Sequence, residues 1–271
     1  MTSAESLKGR LPFRLGTTSY IIPDGLEQNL RWLAGHVEEM QLVLFETPEL
    51  SNIPTKTEAK NLKTLADDLG MTLTVHLPAS IELGDAETSC RRRSAELFRR
   101  TVEATLPLGP LLWVFHIVGS EQFTSLAAID SGELETQTAR AAESLSGLMG
   151  LFDDSRRLAI ENVLTHFTIE PPFIREFDTS VCIDVGHLHC YGQDVSEHLS
   201  RWLPRCSCVH IHGTNAVGKD HSSLGCMGRE QIAYVLRRLR TAGYKGSFIL
   251  EIFGEEDFAG SIEALKAALA D

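Results

Sequence analysis

The sequence lacks any apolar run long enough to cross a bilayer, and residues 1–12 carry Lys8 and Arg10 without a hydrophobic signal core behind them. Basic residues are also fewer than acidic ones. The 25 lysines and arginines face 37 acidic residues, for a formal net charge of −12. This charge opposes a general affinity for phosphate backbones. We therefore expect a cytoplasmic protein that binds neither nucleic acid nor membrane.

Cysteine and proline are too few to support a disulfide scaffold or a disordered chain. The six cysteines form no Cys-x-x-Cys pair, and only 10 prolines accompany a 43% apolar composition. Cys182, Cys206 and Cys208 lie in apolar strand-like runs, which we interpret as small buried side chains. The chain has enough apolar material for one sizeable core, and we expect one domain over residues 1–271.

Eight short apolar runs alternate with helical patterns along the chain, which predicts a (β/α)8 TIM barrel. The predicted strands are 13–18, 42–46, 73–77, 112–118, 158–163, 181–184, 208–212 and 248–252. Apolar residues at three- and four-residue spacing predict helices over 58–69, 94–105, 133–150, 195–203, 229–242 and 258–270. An open doubly wound sheet is the alternative, but the turn at residues 16–20 lacks its glycine-rich phosphate fingerprint.

Histidines and carboxylates stand at the carboxyl ends of almost all these predicted strands. They are Glu46, His76, His116, Glu161, Asp184, His210 and Glu251. A barrel brings these ends to one face, and a mixture of imidazoles and carboxylates suits a divalent metal. Side chains alternate along a strand, so the residue two positions before each strand-end residue should face the barrel interior as well. Six of these residues are small or medium in size. These are Thr74, Val114, Ala159, Cys182, Cys208 and Ile249.

Three local motifs extend the predicted site. Asp184 is followed by a turn that carries His187, with Gly186 permitting the bend. His210 and His212 share one face of a strand. We predict that the deeper His210 is a metal ligand, and that His212 lies at the rim of the site or supports a ligand without contacting the metal. A later loop supplies His221, which can fold back over the mouth or remain an ordinary exposed residue.

At these residues the sequence resembles the xylose isomerase-like TIM barrels and, within them, AP endonuclease family 2. The resemblance implies a metal-ligand set on this chain: His76, His116, Glu161, Asp184, His187, His210, His221 and Glu251. The sequence departs from the family pattern at Asp220, which is adjacent to His221 instead of one residue removed. The pattern therefore does not carry over to Asp220.

Residues 14–23 and 42–46 resemble the cobamide-remodeling phosphodiesterases of this superfamily. This resemblance implies hydrolysis of the nucleotide-loop phosphodiester of coenzyme B12-type corrinoids, giving cobinamide phosphate and the lower-ligand nucleoside. For this reaction, the ligand types predict that Glu161 bridges metals or orients the attacking water, with Asp184 and Glu251 completing the carboxylates and Glu46 orienting a ligand or the substrate. The donors suit divalent zinc, manganese or iron, with zinc and manganese preferred.

Three other functions remain open. A sugar isomerase or epimerase would need one metal, held by Glu161, Asp184, His210 and Glu251. It has no obvious need for His76 and His116. An abasic-site endonuclease shares the ligand set, but the net charge of −12 opposes it. A non-catalytic corrinoid- or metal-binding protein does not require so dense a group of hard ligands.

Overall fold

The barrel predicted from the sequence is confirmed: eight parallel strands close on one another in sequence order. The structure is a computed structural model and describes residues 6–117, 131–163 and 171–270. Each strand pairs in parallel with the next, and β1 pairs with β8. The strands are β1 Arg14–Thr18, β2 Glu39–Val43, β3 Thr72–His76, β4 Trp113–His116, β5 Leu158–Glu161, β6 Ser180–Asp184, β7 Cys206–Ile211 and β8 Ser247–Leu250.

Helices on the outside connect these strands. They are α1 Leu26–Leu33, α2 Lys56–Asp68, α3 Thr88–Thr105, α4 Ser131–Ser146, α5 Val185–Cys190, α6 Val195–Trp202, α7 Arg229–Thr241 and α8 Glu255–Leu269. Before β6, Pro171–Glu176 forms a short stretch of π-helix. The sequence pattern did not predict α1 or α5. Within the described ranges, no helix combines the length and the apolarity that a membrane-crossing segment needs.

The predicted bounds of β2 were wrong. The sequence suggested 42–46, whereas the strand runs over Glu39–Val43, so Glu46 lies beyond its end. The cause is the polar inward face of β2, because Glu39 and Gln41 are fully buried inside the barrel. The Glu39 Oε2 accepts hydrogen bonds from Arg14 Nε at 3.0 Å and Ser247 Oγ at 2.9 Å. These contacts offset part of the cost of burying this carboxylate, while its Oε1 has no hydrogen-bond partner among the described residues.

The predicted inward-facing layer is confirmed. A separate buried apolar cluster fills the barrel interior, and the larger core lies elsewhere, largely where the sheet packs against the helices. The members of the interior cluster are Leu112, Val114, Ala159, Cys182, Cys208 and Ile249. Thr74 is also fully buried. Small side chains at this level leave room for the longer polar residues one layer above them.

Candidate metal centre

Nine polar side chains meet at the carboxyl-end face of the barrel, and we call them the mouth cluster. His76, His116, Glu161 and Asp184 each end their strands, and Glu251 directly follows β8. The full mouth cluster is His76, His116, Glu161, Asp184, His187, His210, His212, His221 and Glu251. Parallel strands in a closed barrel bring these residues together although they are distant in the sequence.

The first ligand group joins β3, β4 and β5. Both His76 Nε2 and His116 Nε2 lie 3.1 Å from the same oxygen, Glu161 Oε2. The Nδ1 of His76 lies 2.8 Å from the Leu77 carbonyl oxygen, to which it donates its proton. Because Nδ1 makes that hydrogen bond, Nε2 is the nitrogen of His76 that can bind a metal.

The second ligand group contains Glu161, Asp184, His210 and Glu251. The Nδ1 of His210 lies 2.8 Å from Glu161 Oε1 and 3.1 Å from Glu251 Oε2. All four side chains are buried. The group therefore offers three carboxylates and one imidazole in a water-poor environment, a donor set that binds divalent ions.

The third ligand group contains Asp184, His187, His212 and His221. Asp184 caps the short helix α5, since its Oδ1 accepts a hydrogen bond from the backbone N–H of His187 at 2.8 Å. This cap places the His187 Nδ1 3.2 Å from Asp184 Oδ2. His221 stacks on His212 with ring centroids 4.2 Å apart, and its backbone N–H donates to His212 Nδ1.

Two carboxylates link the three groups into one centre. Glu161 belongs to the first and second groups, and Asp184 belongs to the second and third. The two oxygens of Glu161 face different groups, since Oε2 faces His76 and Oε1 faces His210. Shared carboxylates of this kind hold neighbouring ions in polynuclear metal sites.

The donors fit divalent metal ions. Asp184 Oδ2, His212 Nε2 and Glu251 Oε2 are buried, yet they lack a well-aligned hydrogen bond among the residues that the structure describes. Buried polar atoms without partners are costly, and a bound cation removes that cost. This set of imidazole and carboxylate donors suits zinc, manganese and iron alike.

Opposite charges dominate the electrostatics of the cluster. Burial alone would raise the pKa of Glu161 and of Glu251, but nearby imidazoles, His210 foremost, hold both well below the ordinary range. Burial would also lower the pKa of His210, yet the two carboxylates raise it well above its usual value. The pKa of His221 rises to about 9, because Glu251 and Asp220 outweigh burial. A metal must therefore displace protons from these imidazoles when it binds.

Two predicted site residues, and Asp220, for which no role was predicted, need comment. His212 is not a rim residue, because it is fully buried and contributes to the third group. Asp220 lies outside the ligand groups, with its Oδ1 3.1 Å from His221 Nδ1. Glu46 is also outside them, because its carboxylate pairs with Arg100 of α3, 2.9 Å from Nη1.

Sequence reasoning missed Asn162, which positions the third group. Its Oδ1 accepts from the backbone N–H of Asp184 at 2.8 Å, and its Nδ2 donates to the Asp184 carbonyl at 3.0 Å. The backbone carbonyl of Asn162 lies 3.2 Å from His187 Nδ1. Asn162 directly follows Glu161 in the chain, and a buried amide beside a predicted ligand was the available signal.

Comparison with known proteins agrees with this fold. A sequence profile of the family described as xylose isomerase-like TIM barrel matches residues 36–269. No curated protein sequence gives a significant match. Among solved structures, a D-tagatose 3-epimerase-like protein is 19% identical with a TM-score of 0.75, covering 95% of this chain and 97% of that one.

Two further solved structures are similar over nearly their whole length. The 3-keto-D-glucoside 4-epimerase from E. coli is 15% identical with a TM-score of 0.71, covering 96% of this chain and 100% of that one. Endonuclease IV from Thermus thermophilus is 22% identical with a TM-score of 0.68, covering 95% of this chain and 99% of that one. At these identities the similarity establishes a shared fold, and it includes proteins of two different activities.

Proposed function

This chain belongs to the xylose isomerase-like TIM barrel family, and we propose that within it the chain is a metal-dependent phosphodiesterase acting on cobamides. The proposed reaction is hydrolysis of the nucleotide-loop phosphodiester to cobinamide phosphate and the lower-ligand nucleoside, for cobamide salvage and remodeling. One observation carries the hydrolytic part. Glu161 and Asp184 join three ligand groups, whereas proton transfer on a sugar needs only one metal. The cobamide part rests on the sequence resemblance in residues 14–23 and 42–46.

A phosphodiester hydrolase must activate water, neutralise the phosphoryl oxygens and stabilise the leaving oxygen. Divalent ions held by the mouth cluster would supply positive charge for the second and third of these tasks and would make water more acidic. The water oxygen attacks phosphorus, the bond from phosphorus to the ribose oxygen breaks, and that oxygen leaves with a proton. The phosphate stays on the cobinamide.

Within the protein, Glu161 is the residue best placed to orient the attacking water. Its carboxylate is ionised, buried and shared by two ligand groups. His76 and His116 lie on the Oε2 side of Glu161 and His210 lies on its Oε1 side, so ions held by these imidazoles would also be held by the carboxylate. A carboxylate held on both sides keeps one orientation during the reaction, which reduces reorganisation at the transition state.

A second candidate is a sugar epimerase that uses one metal. Two of the three solved structures described above are named as an epimerase or epimerase-like protein. The second ligand group could hold that metal, with Glu161 and Glu251 exchanging a proton with the carbon next to a carbonyl. This function gives His76 and His116 no role, although both contact Glu161. An abasic-site endonuclease shares the hydrolytic chemistry, but the net charge of −12 weakens attraction to a polyanion.

The test is to incubate the metal-loaded protein separately with a complete cobamide, an abasic-site DNA duplex and a ketohexose. We expect release of the lower-ligand nucleoside from the cobamide and no product from the other two. The variant Glu161→Gln is the matched control, since it keeps the shape of the side chain and removes its charge. Sugar epimerisation or strand nicking at a comparable rate would overturn the proposal.

A further inference from the structure

A row of aromatic rings leads from the rim of the barrel to the mouth cluster. The ring centroids of Phe45 and Tyr20 are 6.4 Å apart, as are those of Tyr20 and Phe253. The Phe253 ring lies 5.8 Å from that of His221. Phe253 also follows Glu251 by two positions in the chain. The row therefore ends on one residue of the third ligand group.

The local structure fixes the position of these rings. Asn52 Nδ2 donates to Tyr20 Oη at 2.6 Å, and Asn52 Oδ1 accepts from the backbone N–H of Phe45 at 2.7 Å. The backbone N–H of Gly254 donates to the Tyr20 carbonyl at 3.1 Å, which ties the loop after β8 to the loop after β1. Gly254 has φ of 111°, a conformation that suits only glycine. Rings held in this way lose little freedom when they bind a ligand.

The row is accessible to solvent. Phe253 is 43% exposed, while Tyr20 and Phe45 are half-buried. Tyr20 and Phe253 also border a shallow, largely apolar cavity of about 470 Å³ together with Ile22 and Pro23. Two exposed apolar side chains, Leu50 and Val217, lie in other loops on the same face. A wide apolar rim around a charged centre is typical of a binding site and not of a packed core.

We propose that Phe45, Tyr20 and Phe253, which we call the aromatic row, form a subsite for a broad ring carried by the substrate. This inference rests on the proposed function, because the ring must be attached to the phosphodiester that enters the mouth cluster. A cobamide meets the requirement, since one molecule carries both a macrocycle and a single phosphodiester. Glu255 and Glu256 border the same cavity and oppose the phosphates of a nucleic acid.

The same features disfavour a free sugar as the occupant. A ketohexose presents hydroxyl groups over most of its surface and gains little from an exposed phenylalanine. The planes of Phe253 and Tyr20 are tilted by 56° to each other, so a broad ring can lie against both while it stacks on only one of them. Its phosphodiester arm can then reach His221 and the ligands below it. The aromatic row would thus supply binding energy at a distance from the reacting atoms, which helps to orient the phosphorus.

The experiment measures binding of cobinamide, which has the macrocycle but no nucleotide loop, to the metal-loaded protein by isothermal titration calorimetry. We expect Phe253→Ala to raise the Kd at least tenfold, and Phe253→Tyr, which keeps the ring, to remain within about threefold of the wild type. Leu106→Ala is the matched control, because Leu106 is also 43% exposed but lies in the loop between α3 and β4, at the opposite end of the barrel. We expect this variant to bind like the wild type.

Binding and turnover separate the two proposals. If the wild type binds cobinamide through Phe253 but does not cleave a complete cobamide, the subsite stands and the proposed reaction is wrong. If the wild type cleaves a cobamide but Phe253→Ala binds cobinamide as tightly as the wild type, the subsite is wrong. Absence of cobinamide binding to the wild type also overturns the subsite. Metal content and thermal melting of each variant show whether a loss of binding reflects the subsite or a misfolded chain.

Discussion

Gly186 lies against the imidazole of His212, so closely that a Cβ at Gly186 would stand 2.4 Å from His212 Nε2. Gly186 lies in α5 and His212 directly follows β7, and this close approach accompanies the placing of His187 and His212 in one ligand group. Any side chain at position 186 must displace that imidazole or the helix. Glycine is required here by the close approach of two segments, since Gly186 has an ordinary backbone conformation.

Gly186→Ala should therefore damage the third ligand group without weakening the helix. Alanine favours a helix by about 1 kcal/mol over glycine, so a loss cannot come from helix propensity. We expect the purified variant to lose about one metal ion per chain and at least tenfold in kcat. Elemental analysis and kinetics measure the two effects. Gly147→Ala, where a Cβ meets nothing within 4 Å, is the control, and equal metal content in both variants would contradict the prediction.

Glu39→Gln should change how stability depends on pH. Burial raises the pKa of Glu39 above its ordinary value of 4.5, against the lowering effects of Ser247 and Arg14. For a carboxyl group with a raised folded pKa, its contribution to stability is fully present below the unfolded pKa and is lost as pH rises through the folded pKa. The wild type should thus lose stability relative to the variant as pH rises above about 4.5.

Urea unfolding of both proteins between about pH 5 and pH 8, with a chelator present, measures this difference. Titration of the mouth cluster occurs in both proteins and cancels in the comparison. The slope cannot exceed about 1.4 kcal/mol per pH unit for one group. The prediction is wrong if the difference between the two free energies of unfolding stays constant with pH, or if the wild type gains stability relative to the variant as pH rises. Either result would show that Arg14 already keeps Glu39 ionised at the lower pH.

The sequence predicted the barrel because strands and helices recur with regular spacing and because small residues precede the polar strand ends. It misplaced β2, since hydrophobic periodicity cannot recognise a strand whose inward residues are Glu39 and Gln41. It also placed His187 on a turn. Gly186 suggested a bend, whereas the cap from Asp184 supports a short helix.

The depth of His212 could not be predicted for a different reason. Alternation along β7 correctly gave His210 and His212 the same face, but depth depends on the loop that follows. That loop returns through paired backbone hydrogen bonds between Gly213 and Ser222, which places His221 on top of His212. A local sequence pattern cannot predict contacts between residues that a loop separates.

Prolonged chelation should abolish turnover, and added zinc or manganese should restore it. The mouth cluster contains three carboxylates and six histidines, and removing the cations leaves it without the charge that a phosphodiester requires. We expect more than one metal ion per chain in the active protein, because two carboxylates are shared between ligand groups. Inductively coupled plasma mass spectrometry measures the number. Full activity in rigorously metal-free protein would overturn this prediction, and a single ion at full activity would favour the epimerase.

His76→Ala and His116→Ala should distinguish the two candidate functions most directly. Both imidazoles contact Glu161 Oε2, at 3.1 Å, and they complete the first ligand group. In a phosphodiesterase, each substitution should remove a metal ligand, lower the metal content and reduce kcat by two orders of magnitude or more. A single-metal epimerase would retain its four ligands in the second group and lose little activity.

The comparison needs a control for simple loss of a buried side chain. His198 serves, because it is a buried histidine on α6 outside the mouth cluster. His198→Ala should lower stability while leaving the metal content unchanged. If His76→Ala and His116→Ala behave like this control, keeping their metal ions and their kcat, the first ligand group has no part in catalysis. The phosphodiesterase proposal would then lose the observation that carries it, and the second ligand group alone would define the active site.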